Sequence, residues 1–131
     1  MLIDDYLDRF ARTGRGVGLP AASVLEVEGR DEAALLRRAV PAGSATVCLD
    51  ERGAMLTSPD FADRLGGWRD DARDVCFLIG GADGLGDLRD AADLTISFGR
   101  AVWPHMLARV MLCEQLYRAA SILAGTPYHR A

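Results

Sequence analysis

The sequence contains no lysine; all 15 of its basic residues are arginine. A phosphate-binding loop of the GxxxxGK(S/T) type is therefore excluded. An all-arginine complement beside abundant Ala and Gly fits a GC-rich genome. It also fits phosphate recognition, because the guanidinium fork matches phosphate oxygens, and composition does not choose between the two. Cysteine is scarce: Cys48, Cys76 and Cys113 lie far apart, each inside an apolar segment ("TVCLD", "VCFLIG", "MLCEQL"). With no CxxC or Cys/His ligand spacing, a structural zinc site is not expected, and three buried free thiols fit a reducing cytoplasm. Apolar runs are short, and none approaches the roughly 18 to 20 residues that span a bilayer. The N-terminal "MLIDDYLDRF" carries acids where a secretion signal has its positive region, so no such signal is read there. Positive charge is not in excess either, since the net charge is −4, which by itself does not point to nucleic acid.

What is present is a globular composition, 50% hydrophobic and 26% charged over 131 residues, enough for one domain with one core. Leu2, Ile3, Tyr6, Leu7 and Phe10 fall at helical spacing and predict a helix over residues 2 to 12. "TGRGVGLP" reads as a loop, "ASVLEVE" as a strand, and Asp31 to Val40 as a helix that stops at Pro41. "ATVCLD" has the continuous apolar character of a buried parallel strand, followed by a loop, "ERGAMLT". Ser58 with Pro59 predicts a helix start, Ser58 being the N-cap, and that helix runs to about Asp71 across Gly66-Gly67. "DVCFLIGG" reads as a second buried strand, the stretch from Asp87 to Ala92 as a short helix, and "DLTISF" as a further strand. A long helix follows from Pro104 to Ala124. Strands alternating with helices predict an α/β domain with a mostly parallel sheet and helices on both faces. In the last helix Leu107, Val110, Met111 and Tyr117 lie on one side and Leu112, Leu116, Ala119 and Leu123 on another. A helix apolar on two sides needs two partners, and in a chain this small a second subunit is the natural candidate for one of them.

Several loops stand where α/β domains carry sites. "LIGGADGLG" follows a strand; it is either a tight turn or a place where backbone approaches a ligand closely. "SFGRAVWPH" joins the last strand to the last helix, and His105 within it is most simply structural. Asp50, at the tip of "TVCLD", is as good a turn former as a site carboxylate. No GxSxG elbow occurs, and the cysteines sit where thiols stay inert, so covalent hydrolysis is not indicated. The chain closes on "GTPYHRA", which places one of only two histidines beside Tyr128 and Arg130. Chain ends commonly fray, so this ending is either an accident or a tail docked into a site.

Taken in order, four pieces carry a specific resemblance: "IGG" with Gly-Leu shortly after, then S-x(6)-P-H-x-L-x-R-V, then "EQLYRA", then the final "PYHR". The segment from "VCFLIGGADGLG" to the end closely resembles the RlmH family of ribosomal large-subunit pseudouridine methyltransferases, of the SPOUT superfamily. The middle of the chain agrees more loosely, and the first forty residues weakly. The resemblance implies a single domain over 1–131 with a deep C-terminal trefoil knot, S-adenosylmethionine as cofactor and a cytoplasmic homodimer with the site at its interface. It implies no metal and no membrane, and methyl transfer to N3 of a pseudouridine in 23S rRNA. It also implies a first strand and glycine-containing loop ahead of the helix that begins here at Met1, so the chain reads as N-terminally short.

Carried over by position, the resemblance assigns Leu49, Gly81 and the loop Gly99, Arg100, Ala101, Val102, Trp103 and Pro104 to the cofactor. Arg100 departs from the family pattern and its role is open. The tail supplies Tyr128, His129 and Arg130, with Glu114 and Arg118 positioning the tail or the substrate. The chemistry suits these types. N3 attacks a methyl carbon only after losing its proton, and a base near neutral pKa serves that step, which makes His129 the candidate base. Arg130 can hold the anion or a phosphate, and Tyr128 can stack on a base or donate a hydrogen bond. A non-enzymatic flavodoxin-like interaction domain, and a truncated copy with little activity, remain as alternatives at this point.

Overall fold

The computed structural model describes residues 2–27, 29–80, 85–99 and 104–129. The elements, in order, are α1 (Leu2–Arg15), α2 (Glu32–Ala39), β1 (Ala45–Ala54), α3 (Ser58–Asp70), β2 (Val75–Ile79), α4 (Leu88–Ala91), β3 (Leu94–Ile96) and α5 (His105–Ala124). Among the described residues the sheet has three strands in the order β2-β1-β3, parallel throughout.

Alternation along the strands sorts the core into two layers. Ala45, Val47 and Leu49 of β1, Val75, Phe77 and Ile79 of β2, and Leu94 and Ile96 of β3 face one side. There they meet Phe10 of α1, Phe61, Leu65 and Trp68 of α3, and Leu112, Leu116, Ala119 and Ala120 of α5. Cys48, Cys76 and Leu78 face the other, smaller layer with Leu36 of α2 and Leu88 of α4. Helices thus cover both faces, as the βα alternation predicts.

Three local expectations need correction. "ASVLEVE" forms no strand over its described residues; Val24 and Leu25 stand 45% and 73% exposed. β-branched residues favour a strand only where a sheet edge accepts them, and this segment is tied instead to α5 by an Arg109–Glu26 ion pair at 2.8 Å. "ERGA" continues β1 rather than looping, and the register jumps so that both Leu49 and Ala54 pair with Ile96. The extension crosses β3 closely: a Cβ on Gly53 would lie 2.7 Å from the carbonyl carbons of Thr95 and Ile96, and Ser97 N–H donates to the Ala54 carbonyl at 2.8 Å. Finally, the N-cap of α3 is Thr57, whose side chain accepts from Asp60 N–H, so Ser58 is freed for another partner.

Candidate functional site

A cavity of about 340 Å³ opens between the β1–α3 connection, the end of β3 and the first half of α5. Met55, Leu56, Phe61, Ile96, Phe98 and Met111 give it apolar walls, and Ser58, Ser97, Gly99 and Gln115 supply its polar groups. This size and lining fit a small organic ligand held by few polar contacts. Ser97 Oγ donates to the Gly99 carbonyl at 2.6 Å and accepts from Gly99 N–H at 3.0 Å, which fixes the turn leaving β3. Of the residues expected at a cofactor, Leu49 is half-buried and pairs with Ile79 on one side and Ile96 on the other, near the carboxyl ends of β2 and β3. Gly99 lines the cavity and Pro104 caps α5, accepting Ala108 N–H at 3.0 Å. Gly81, Arg100, Ala101, Val102 and Trp103 lie outside the described residues.

The second cluster is built on α5 and the tail. Gly125 takes the left-handed conformation (φ 73°) that a side chain would resist, and it ends α5 in a Schellman arrangement. In it Gly125 N–H donates to Ile122 at 3.1 Å and Thr126 N–H to Ser121 at 3.0 Å. The chain thereby turns back along the helix. Tyr128 packs on Tyr117 with ring centroids 4.4 Å apart, and Tyr117 meets Tyr6 of α1 at 6.4 Å. The Arg118 guanidinium lies 5.0 Å from the Tyr128 ring centroid, within cation–π range.

Glu114 organises this cluster. Its Oε2 accepts from Tyr128 O–H at 2.8 Å and Arg118 Nη2 at 2.9 Å; its Oε1 accepts from Arg118 Nε at 3.3 Å and Gln115 Nε2 at 3.1 Å. Four donors fill the carboxylate, and Arg118 is held in the two-pronged way that guanidinium and carboxylate share. Arg118 Nη1 then reaches His129 Nδ1 at 3.1 Å. Burial, followed by the Glu114 hydrogen bond and charge, pushes the Tyr128 hydroxyl up to about 12. The structure therefore brings together Glu114, Arg118, Tyr128 and His129, four of the residues singled out from sequence. Arg130 lies outside the described residues.

Sequence reasoning missed the link between the two clusters. Ser58 Oγ donates to Gln115 Oε1 at 2.8 Å, and Gln115 donates onward to Glu114. An unbroken run of hydrogen bonds thus joins the cavity wall to the tail through Ser58, Gln115, Glu114 and Arg118. Gln115 lies within "EQLYRA", where residue type alone gives it no role, and the Ser58-Pro59 signal points to a cap one residue beyond the true one, Thr57. The other candidates resolve as structure. Asp50 is nearly enclosed, with its side chain 6% exposed. Its carboxyl accepts from the Arg52 side chain at 3.0 Å, which holds it below the usual carboxylate range, and from the Arg52 backbone N–H at 2.9 Å. Burial pushes the Cys48 thiol up to about 11 and raises Cys76 and Cys113, so all three stay protonated at neutral pH and do not act as nucleophiles. His105 is exposed in the first turn of α5. Among the described residues no group of three or more His, Cys, Asp or Glu side chains gathers to hold a metal, and no helix is long and apolar enough to cross a membrane.

A parallel sheet flanked by helices, with a cavity at the end of β3, defines an α/β class that sequence comparison makes specific. Residues 2–129 match the family described as "Predicted SPOUT methyltransferase", and the chain belongs to that family. It is 65% identical over 136 residues to "Ribosomal RNA large subunit methyltransferase H" of Paracoccus denitrificans, an alignment covering 98% of this chain and 88% of that one. Proteins of the same name from Ruegeria pomeroyi and Cereibacter sphaeroides are 64% and 63% identical, with the same shares covered. The protein is a methyltransferase.

Proposed function

We propose that the chain methylates N3 of a pseudouridine in 23S rRNA of the large ribosomal subunit, using S-adenosylmethionine, as a cytoplasmic homodimer. The observation that carries this reading is the tail: a Tyr-His pair folded back on α5 and tied by hydrogen bonds to the wall of a ligand-sized cavity. The names of the relatives support an rRNA substrate.

The cavity suits the cofactor, because its apolar walls can enclose an organic ligand while Ser97, Gly99 and Gln115 offer the few polar contacts. Leu49, Gly81, Gly99 and the loop from Arg100 to Pro104 would hold it. Bound there, S-adenosylmethionine supplies an electrophilic methyl group. The proposal places Tyr128, His129 and Arg130 against the target base, where a negative charge must be held once the N3 proton has gone. Glu114 and Arg118 orient the tail. The reading includes the deep C-terminal trefoil knot that the family resemblance implies. The second subunit is favoured by Met106 and Leu107, which leave an apolar flank of α5 in water at 45% and 43% exposure.

Calorimetric titration with S-adenosylmethionine, then methyl transfer from the labelled cofactor to assembled ribosomes, tests the reading. Saturable binding and one labelled pseudouridine are expected. Binding without transfer to any large-subunit RNA would refute the substrate assignment.

A further inference from the structure

We propose that Arg118 fixes His129 in the tautomer that carries its proton on Nε2, so that His129 meets the target base as a hydrogen-bond donor and not as the general base. The inference rests on the functional reading above and gives its histidine a different task from the one the residue types suggest.

A guanidinium has five N–H donors and no acceptor, and it does not lose its proton in proteins. Arg118 Nη1 stands 3.1 Å from His129 Nδ1. The contact is a hydrogen bond only if Nδ1 brings a lone pair. A ring protonated at Nδ1, whether neutral or cationic, would set two protons against each other. The partner of one imidazole nitrogen decides the state of the other. Here the assignment follows from the chemistry of that partner, with no hydrogen observed. The neutral ring therefore holds its single proton on Nε2.

Arg118 has little freedom to release Nδ1. Its Nε and Nη2 are both committed to Glu114, and Glu114 is itself held by Tyr128 and Gln115. Arg118 of α5 faces the ring directly; Glu114 of α5 holds Arg118 and the neighbouring Tyr128, and Tyr117 of α5 stacks on Tyr128 with Tyr6 and Arg9 of α1 behind it. The carboxylate among them is filled by four donors, and among the described residues nothing hydrogen-bonds Nε2.

A general base needs a lone pair on the nitrogen that faces the proton. In this arrangement Nδ1 is spent on Arg118 and Nε2 has a proton to give. Directed at a carbonyl oxygen beside N3, Nε2–H stabilises the imide anion as it forms. The N3 proton passes to solvent hydroxide, which becomes water, and His129 keeps its own. Arg118 is a positioning residue in this scheme.

The full chain has only two histidines, so both can be resolved by long-range ¹H–¹⁵N correlation, with a His129→Gln sample assigning the signals. At pH 8 we expect His129 Nδ1 at the shift of an unprotonated ring nitrogen and Nε2 at that of a protonated one. Arg118→Met should release the ring into a mixture of tautomers. A proton on Nδ1 in the parent, or a parent already averaged between tautomers, overturns the proposal. The second arm is methyl transfer to ribosomes. His129→Ala should lose about 10²- to 10³-fold, the usual loss for one anion-stabilising donor, while His129→Gln, whose amide keeps a donor, should stay within about tenfold of the parent. A glutamine variant as slow as the alanine one also overturns it. So does a parent rate that levels off once a free imidazole is neutral, above about pH 6.5, instead of rising further with pH. If the parent transfers no methyl group to ribosomes, the functional reading falls, and the nitrogen shifts still decide the tautomer.

Discussion

Tyr128→Phe isolates one hydrogen bond in the tail. The variant keeps the ring that packs on Tyr117 at 4.4 Å and removes only the hydroxyl that donates to Glu114 at 2.8 Å. A hydrogen bond to a charged group contributes about 1.5 to 3 kcal/mol. Glu114 keeps its three other donors and is 19% exposed, so water can replace the lost one and the low end applies, about 1.5 kcal/mol or roughly a tenfold weaker docking of the tail. The hydroxyl is raised from 10 to about 12, by burial first and by Glu114 second. The Glu114 hydrogen bond is one part of that displacement, and water around the partly exposed phenol screens the rest. The neutral form is the one the docked tail favours. Its contribution is therefore complete below about pH 10 and is lost as pH rises through about 12. The assay is ultraviolet titration of tyrosinate by rapid mixing, read before the protein unfolds. With three tyrosines in the chain, the difference between parent and variant curves reports Tyr128 alone. A difference curve centred near 12 is expected; one centred near 10 would show that the phenol is free in water and that the docked tail is wrong.

Gly53→Ala would push a methyl group to 2.7 Å from the backbone of Thr95 and Ile96. Neither strand can yield there without shifting, so a loss of about 1 to 3 kcal/mol is expected as a lower Tm; an unchanged Tm would mean the crossing of β1 over β3 is loose. Leu107→Glu places a charge on the exposed apolar flank of α5. The parent should sediment as a dimer at micromolar concentration and the variant as a monomer, and a monomeric parent would remove the case for a second subunit.

Much of the fold is legible in local pattern. "ATVCLD" and "DVCFLIGG" are continuous apolar runs because helices cover both sides of the sheet, and the Leu112, Leu116 and Ala119 side of α5 is apolar because it packs into the layer shared with α1 and α3. Local pattern misled where partners decide. "ASVLEVE" has strand composition but pairs with no strand over its described residues, and "ERGA", which looks like a loop, is drawn into β1 by the Ile96 pairing and the Ser97–Ala54 hydrogen bond. Composition and order also set the inventory of the site: an all-arginine chain, a glycine-rich strand end, Glu and Arg four apart on a helix, and a Tyr-His-Arg ending. The assembly of that inventory belongs to the tertiary structure. Nothing in the sequence says that Ser58 meets Gln115 across 57 positions, or that His129 presents Nδ1 and not Nε2 to Arg118. Residue types specify which protons are available, but the direction of a hydrogen bond is fixed only when two side chains are held at a given distance and angle. Here the turn at Gly125 and the packing of the tail on α5 do the holding.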